Sequence, residues 1–229
     1  MPMWGGQACC RAMKTVPTLA RLAIYVLFAF LLIAPAARAQ IQVSSLGNAE
    51  TGSLGVNINE WVGLAFTTDS QSYTLGGITI PIYVNTAGTL GAELYAGTAG
   101  GDPAGSALAS FNFGTIPGTT GNVTFTPGST ITLSASTNYV FVLSATDVGT
   151  WGWSAAPASS TYTTPSGNPW TMGTNATLSF DGGGSWSQPA PFMPRMSVNA
   201  TPVPEPSAYA AVLGAAALAG VMFARRRRA

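Results

Sequence analysis

The middle of the chain, from Ile41 to Thr201, consists of short alternating segments separated by turn residues. Ile78, Ile80 and Ile82 occupy every second position of one segment, which is the two-residue period of a β-strand. The segment Tyr139–Leu143 is apolar at every position, which predicts a central strand that is buried on both faces. Glycine and proline recur between the segments, and no useful length of helical periodicity is visible. The pattern predicts an all-β domain of the β-sandwich or jelly-roll type.

The same middle segment is poor in charge. Charged residues make up 7% of the chain, against about 25% of an average soluble domain. Seven carboxylates and one basic residue, Arg195, give the segment a net charge of −6. Without clustered Lys and Arg it cannot neutralise phosphates, which excludes nucleic acid as a partner. We expect Arg195 to pair with one of the carboxylates.

The residues that the chain lacks exclude further chemistry. The chain has no histidine, which excludes Ser-His-Asp and Cys-His nucleophiles and every His-ligated metal. Its two cysteines, Cys9 and Cys10, lie near the amino terminus. Both precede Met13, which is an alternative start because the sequence from Met13 onward is by itself a well-formed export signal. Once that signal is removed, no disulfide or Cys-ligated zinc can form. We therefore expect no cofactor and no metal.

The amino-terminal segment has the parts of a secretory signal peptide. Basic residues precede an apolar run from Leu22 to Ile33, and Ala37 and Ala39 form a small-x-small cleavage site. We expect signal peptidase to cut after Ala39, so that residues 1–39 are the signal and Gln40 becomes the amino terminus. An uncleaved anchor helix is the alternative.

The carboxyl-terminal segment, residues 202–229, also has three parts in a fixed order. Pro204, Glu205 and Pro206 come first, and the prolines break any preceding strand. An uncharged run from Ala208 to Ala224 follows, and as a helix it would be about 26 Å long, marginally enough to span a membrane. The positive-inside rule keeps the basic cluster that follows on the cytoplasmic side. This cluster consists of Arg225, Arg226, Arg227 and Arg228.

This three-part order resembles the PEP-CTERM sorting signal of Gram-negative bacteria. The resemblance implies that exosortase, a membrane cysteine transpeptidase, recognises Pro204, Glu205 and Pro206 and processes the chain near them. It also implies an inner-membrane-anchored precursor, held by its transmembrane helix, that later reaches the cell surface or extracellular matrix, often alongside exopolysaccharide. A tail anchor that is never cut is the alternative.

The order of features in residues 40–201 resembles the choice-of-anchor R domain, a recurrent module of exported bacterial proteins. Matching features include Trp61, Leu94-Tyr95, Thr137-Asn138-Tyr139, Trp153 and Asp181-Gly182-Gly183. The family has no assigned catalytic residues to transfer. The resemblance therefore implies a β-sandwich fold and an exported location, and it implies no reaction.

Aromatic residues are the first candidates for a binding site. Trp151 and Trp153 are followed by Tyr162, Trp170 and Trp186. Because exposed aromatic rings form flat platforms for sugar rings, we take Trp170, Trp186 and Tyr162 as candidate polysaccharide-binding residues. The alternative is core packing, in which each tryptophan buries on the order of 200 Å². We expect core packing for Trp153.

The carboxylates are the second set of candidates. Glycoside hydrolysis needs two carboxyl groups about 5 to 9.5 Å apart. Glu60 and Glu93 are the least implausible pair, although no spacing identifies one. Asp102, Asp147 and Asp181 stand beside glycines in turns, where calcium ligation and Asx turns are the alternatives. We favour Asx turns, since no calcium loop motif is present.

Together these features predict an exported, surface-sorted protein that is not an enzyme. Its role would be structural, adhesive or polysaccharide-binding. A secreted carbohydrate-active hydrolase that uses two of the carboxylates is the main alternative, and a calcium-stabilised adhesin is a third.

Overall fold

The computed structural model describes residues 40–164, 169–187 and 192–204, together with six isolated positions of helical backbone between residues 214 and 225. The chain divides into two units, Ala37–Pro204 and the terminal segments Met1–Ala36 and Glu205–Ala229. The predicted signal peptide and most of the predicted sorting segment lie outside the described residues. No helix in the described part of the chain is long and apolar enough to cross a membrane.

Within the described residues, the unit Ala37–Pro204 is built from fourteen β-strands, and all of their pairings are antiparallel. The strands are β1 (Gln40–Ser44), β2 (Gly52–Val56), β3 (Trp61–Thr67), β4 (Tyr73–Thr86), β5 (Leu90–Gly97), β6 (Pro103–Asn112), β7 (Gly121–Pro127), β8 (Thr132–Leu133), β9 (Asn138–Ala145), β10 (Thr150–Pro157), β11 (Thr171–Met172), β12 (Thr177–Ser179), β13 (Phe192–Pro194) and β14 (Ser197–Pro202). The prediction of an all-β domain is confirmed.

The strands form two groups that are joined at one corner. Sheet A has the order β1-β14-β4-β7, with β8 and β10 also paired to β4, and β2 and β13 paired to β10. Sheet B has the order β6-β5-β9-β3-β11, with β12 also paired to β3. Strands β6 and β7 pair at Phe111↔Pro127 and Asn112↔Thr126, which links both groups into one nearly closed antiparallel sheet.

The longest strand, β4, organises sheet A. Its first half pairs with β14 and its second half with β10, while β7 and β8 occupy the opposite edge. Ile78, Ile80 and Ile82 are fully buried in the core, and Thr79 and Tyr83 are half-buried on the other face. The predicted alternation of this segment is confirmed.

The core lies between the two sheets and is rich in aromatic rings. Phe141 of sheet B meets Phe125 and Trp153 of sheet A, with ring centroids 5.5 and 5.8 Å apart. Trp153 is fully buried, and its indole N–H donates to the carbonyl oxygen of Arg195 at 2.9 Å. Core packing of Trp153 is therefore confirmed.

Strand β9 lies at the centre of sheet B, between β5 and β3. Every residue from Tyr139 to Ala145 is buried. The prediction of a central strand with two buried faces is confirmed.

Candidate functional site

Trp170 is a core residue. Its side chain is 1% exposed. It stacks on Phe66 with centroids 5.9 Å apart and an interplanar angle of 4°, and it meets Tyr73 edge-on at 4.9 Å. Of the two alternatives for Trp170, the structure shows core packing. The expectation of a sugar platform is corrected for this residue, because neither ring face is open to a ligand.

The other two candidate platform residues, Tyr162 and Trp186, are half-buried. Tyr162 packs against the hydrophobic core. Trp186 directly precedes the isolated bridge between Leu178 and Ser187. Because Trp170 is buried, the three candidates do not form a common exposed face.

The outer face of sheet B, which is turned away from the core, is more regular. The strand registers place its residues in three rows that run across the strands. The rows are Glu93–Val142–Gly63–Thr177, Tyr95–Val140–Ala65 and Asn138–Thr67–Thr171. Val140 and Val142 are fully buried on this face, although they do not belong to the core cluster. Something other than sheet A must therefore cover them.

Over Gly63 the side chains of Val140 and Val142 lie beside that of Thr177. The loop between β5 and β6, residues 98–102, is attached to this face by two hydrogen bonds. The Asp102 carboxylate accepts a hydrogen bond from the Thr177 hydroxyl at 2.7 Å, which ties the loop to β12. The Asn138 amide donates to the Thr98 carbonyl oxygen at 2.5 Å, which ties it to β9. Gly101 is buried with a φ of 86°, a backbone conformation that glycine adopts without strain.

The turn that follows β12 covers Trp61, which lies on the same face. The backbone of Gly183, at a φ of 91°, lies against the indole ring of Trp61 so closely that an added Cβ would be 2.5 Å from a ring carbon. The turn is held by Asp181, which accepts hydrogen bonds from the hydroxyls of Ser185 (2.6 Å) and Ser179 (2.8 Å). Trp61 is paired with Ser179, so this turn covers the opposite end of the same face.

Between the first loop and the turn that joins β11 to β12 lies a groove of about 270 Å³. Ala65, Thr67 and Asn138 form its floor, and residues 99–101 and 171–175 form its walls. Among the described residues, no charged side chain lines it. Its polar groups are the hydroxyls of three threonines, the amides of two asparagines and the backbone of three glycines.

A second groove, of about 400 Å³, lies on sheet A and is lined by residues 74–76 and 126–130. Among the described residues its lining is also uncharged, with threonine and serine hydroxyls beside Pro127 and Gly128. It is formed by the ends of β4 and β7 and the turn after β7, in which the Gly128 N–H donates to the Ser110 carbonyl oxygen of β6 at 2.9 Å.

The two glutamates considered for hydrolysis have separate partners. The Tyr95 hydroxyl donates to Glu93 at 2.5 Å, and burial together with this carboxylate raises the pKa of Tyr95 far above its ordinary value. Burial raises the pKa of Glu60, and a hydrogen bond from the Asn57 amide partly offsets this effect. No contact within the described residues joins Glu60 to Glu93.

The three turn carboxylates have different partners. Asp147 accepts from the backbone N–H groups of Gly149 (2.9 Å), two residues on as in an Asx turn, and of Thr89 (2.8 Å) in another loop, and these bonds lower its pKa. The hydroxyl and N–H of Ser185, with the Ser179 hydroxyl, lower the pKa of Asp181 to about 2. Asp102 instead accepts from Thr177 of β12, which is not an Asx-turn contact. Among the described residues, no three metal-ligating side chains of His, Cys, Asp or Glu lie together.

Arg195 is engaged by the protein. It forms an ion pair with Glu50 at 3.7 Å and donates to the Leu46 carbonyl oxygen (2.7 Å) and the Ser154 hydroxyl (3.1 Å). Pairing of Arg195 with a carboxylate is confirmed.

The sequence pattern pointed to aromatic rings and carboxylates, and it did not identify the residues that line the groove. The run from Thr171 to Asn175, directly after Trp170, contains threonine and asparagine and could have indicated a polar surface. No protein-family model matches the chain, and the search of curated proteins returns no match.

Proposed function

We propose that the chain is an exported, surface-sorted protein without enzymatic activity. Its β domain would have a structural, adhesive or polysaccharide-binding role. Signal peptidase would remove residues 1–39, the Ala208–Ala224 helix would hold the precursor in the inner membrane, and exosortase would process it near Pro204-Glu205-Pro206. The mature protein would then reach the cell surface or extracellular matrix of a Gram-negative bacterium.

The observation that carries the proposal is the position of the Pro-Glu-Pro motif relative to the fold. Strand β14 ends at Pro202, and the Val203 N–H still donates to the Ser72 carbonyl oxygen at 2.9 Å. The motif starts at the next residue, Pro204, directly where the folded unit ends. This is where a sorting motif is useful, because a cut there leaves every strand of the domain intact.

We further propose that the domain is a β-sandwich of the jelly-roll or choice-of-anchor R type. The aromatic contacts between sheets A and B support two layers around one core. The pairing of β6 with β7 at one corner supports a sandwich whose sheets share a strand-to-strand edge.

Cell fractionation of a Glu205→Ala variant tests the sorting proposal. We expect the variant to keep its tail and remain in the membrane fraction, whereas the native chain is released or transferred to the surface. Ser207→Ala, just beyond the motif, is the matched control and should be processed normally. Unchanged processing of Glu205→Ala, measured by mass spectrometry of the carboxyl terminus, would contradict the proposal.

A further inference from the structure

We infer that the groove on the outer face of sheet B is a binding site for a short segment of neutral glycan. The inference rests on the proposed polysaccharide-related function and gives that function a site and a ligand class. None of the three aromatic residues that the sequence suggested lines this site.

The lining of the groove favours a ligand that is uncharged and rich in hydroxyl groups. Hydroxyl and amide side chains both donate and accept hydrogen bonds, as sugar hydroxyls do. An anionic sugar would need a cation, but the only basic residue of the described strand region, Arg195, is paired with Glu50. Asp102 follows the loop wall directly, and one oxygen of its carboxylate accepts a hydrogen bond from Thr177.

The floor of the groove is held in place before any ligand arrives. The Thr67 hydroxyl donates to the side-chain oxygen of Asn138 at 3.3 Å, and the Asn138 amide donates to the loop. The Gly173 N–H donates to the Ala65 carbonyl oxygen at 2.8 Å, which attaches the far wall to β3. A preorganised floor lowers the entropy cost of binding.

The far wall supplies polar groups that the fold does not use. Thr171 and Thr174 are exposed and Asn175 is half-buried. All three line the groove, and within the described residues none of their side chains has a hydrogen bond. These hydroxyls and this amide are therefore free for a ligand.

The size of the groove limits the ligand. Pockets for small ligands commonly begin at about 300 Å³, and the groove, at about 270 Å³, lies just below that size, so it can contact only a short part of a ligand. Because the groove is open, the rest of a longer chain can extend beyond it. A segment within a polysaccharide therefore fits better than an enclosed monosaccharide.

The test measures binding of the full chain, purified in detergent, to neutral glycans (dextran, galactan and mannan) and to one acidic glycan, alginate. The variant is Thr174→Ala combined with Asn175→Ala. The matched control is Ser129→Ala combined with Thr130→Ala, in the second groove on sheet A. Melting temperatures check that both variants are folded.

We expect the native chain to bind at least one neutral glycan and the Thr174/Asn175 variant to bind it about tenfold more weakly, as expected for two lost hydrogen bonds. The control variant should bind as the native chain does. If the native chain binds a glycan and the groove variant does so equally well, or if only alginate binds, the site is wrong while the broader function survives. If no glycan binds, both the site and the polysaccharide role fail.

Discussion

The two faces of sheet B are both buried along β9, but they are buried by different means. On the inner face, Phe141 contacts rings from the facing sheet and from β6. On the outer face, Val140 and Val142 are fully buried beside Thr177, whose hydroxyl donates to Asp102 of the neighbouring loop. A buried residue of sheet B therefore need not belong to the core. The inner face is stabilised by aromatic packing, whereas the outer face adjoins loops attached by polar hydrogen bonds.

The inner face should give the largest loss of stability. Phe141→Ala removes a fully buried ring that contacts three aromatic neighbours, and such truncations cost about 3–5 kcal/mol. Urea unfolding measures the change in the free energy of unfolding. Phe180→Ala, at a ring that is 63% exposed, is the control and should stay within about 0.5 kcal/mol of the native protein. Equal losses at the two positions would contradict a core centred on Phe141.

Truncation on the outer face should cost less. Val142→Ala removes two fully buried methyl groups on the outer face, and we expect a loss of about 1–2.5 kcal/mol, because it removes less apolar volume than the loss of an aromatic ring. Val148→Ala, at a side chain that is 82% exposed, is the matched control. If Val142→Ala lowered the free energy of unfolding as much as Phe141→Ala, the outer face of sheet B would be packed as tightly as the core.

Removing the hydrogen bond between Thr177 and Asp102 should make the loop of residues 98–102 more mobile, with little loss of stability. Thr177→Val deletes the hydroxyl that donates to Asp102, at a cost of about 1 kcal/mol. We expect faster amide hydrogen exchange in residues 98–102 and unchanged exchange in β9. Thr130→Val, in the second groove, should change neither region. Unaltered exchange in residues 98–102 would mean that Asn138 alone holds the loop.

The smallest expected effect is a loss of stability at acidic pH. Hydrogen bonds from Ser185 and Ser179 lower the pKa of Asp181 to about 2, below its ordinary value of 3.8. The charged form of Asp181 is therefore favoured in the folded chain. Its contribution to the free energy of unfolding is fully present above about pH 4 and is lost as the pH falls through about 2. Ser185→Ala should move the NMR titration midpoint of Asp181 upward. A midpoint near 3.8 in the native chain would contradict the turn geometry.

The candidate site was harder to foresee than the fold for a physical reason. Trp170 has the surroundings of a loop in sequence, with Pro169 before it and threonine after it, but its ring packs on Phe66 and Tyr73, about a hundred residues earlier. Exposure of a ring depends on such distant partners. The groove likewise depends on residues that are distant in the sequence, since it combines residues from β3, β9, β11 and two loops.

The sequence by itself determined the all-β class and the double burial of Tyr139–Leu143, because alternation is a property of neighbouring residues and strand geometry repeats every two residues. Only the tertiary structure decided which strands pair and in which register. The row Glu93–Val142–Gly63–Thr177 joins four strands that are far apart in the chain. Such rows come from non-local hydrogen bonding and packing, and they decide which polar side chains share one surface.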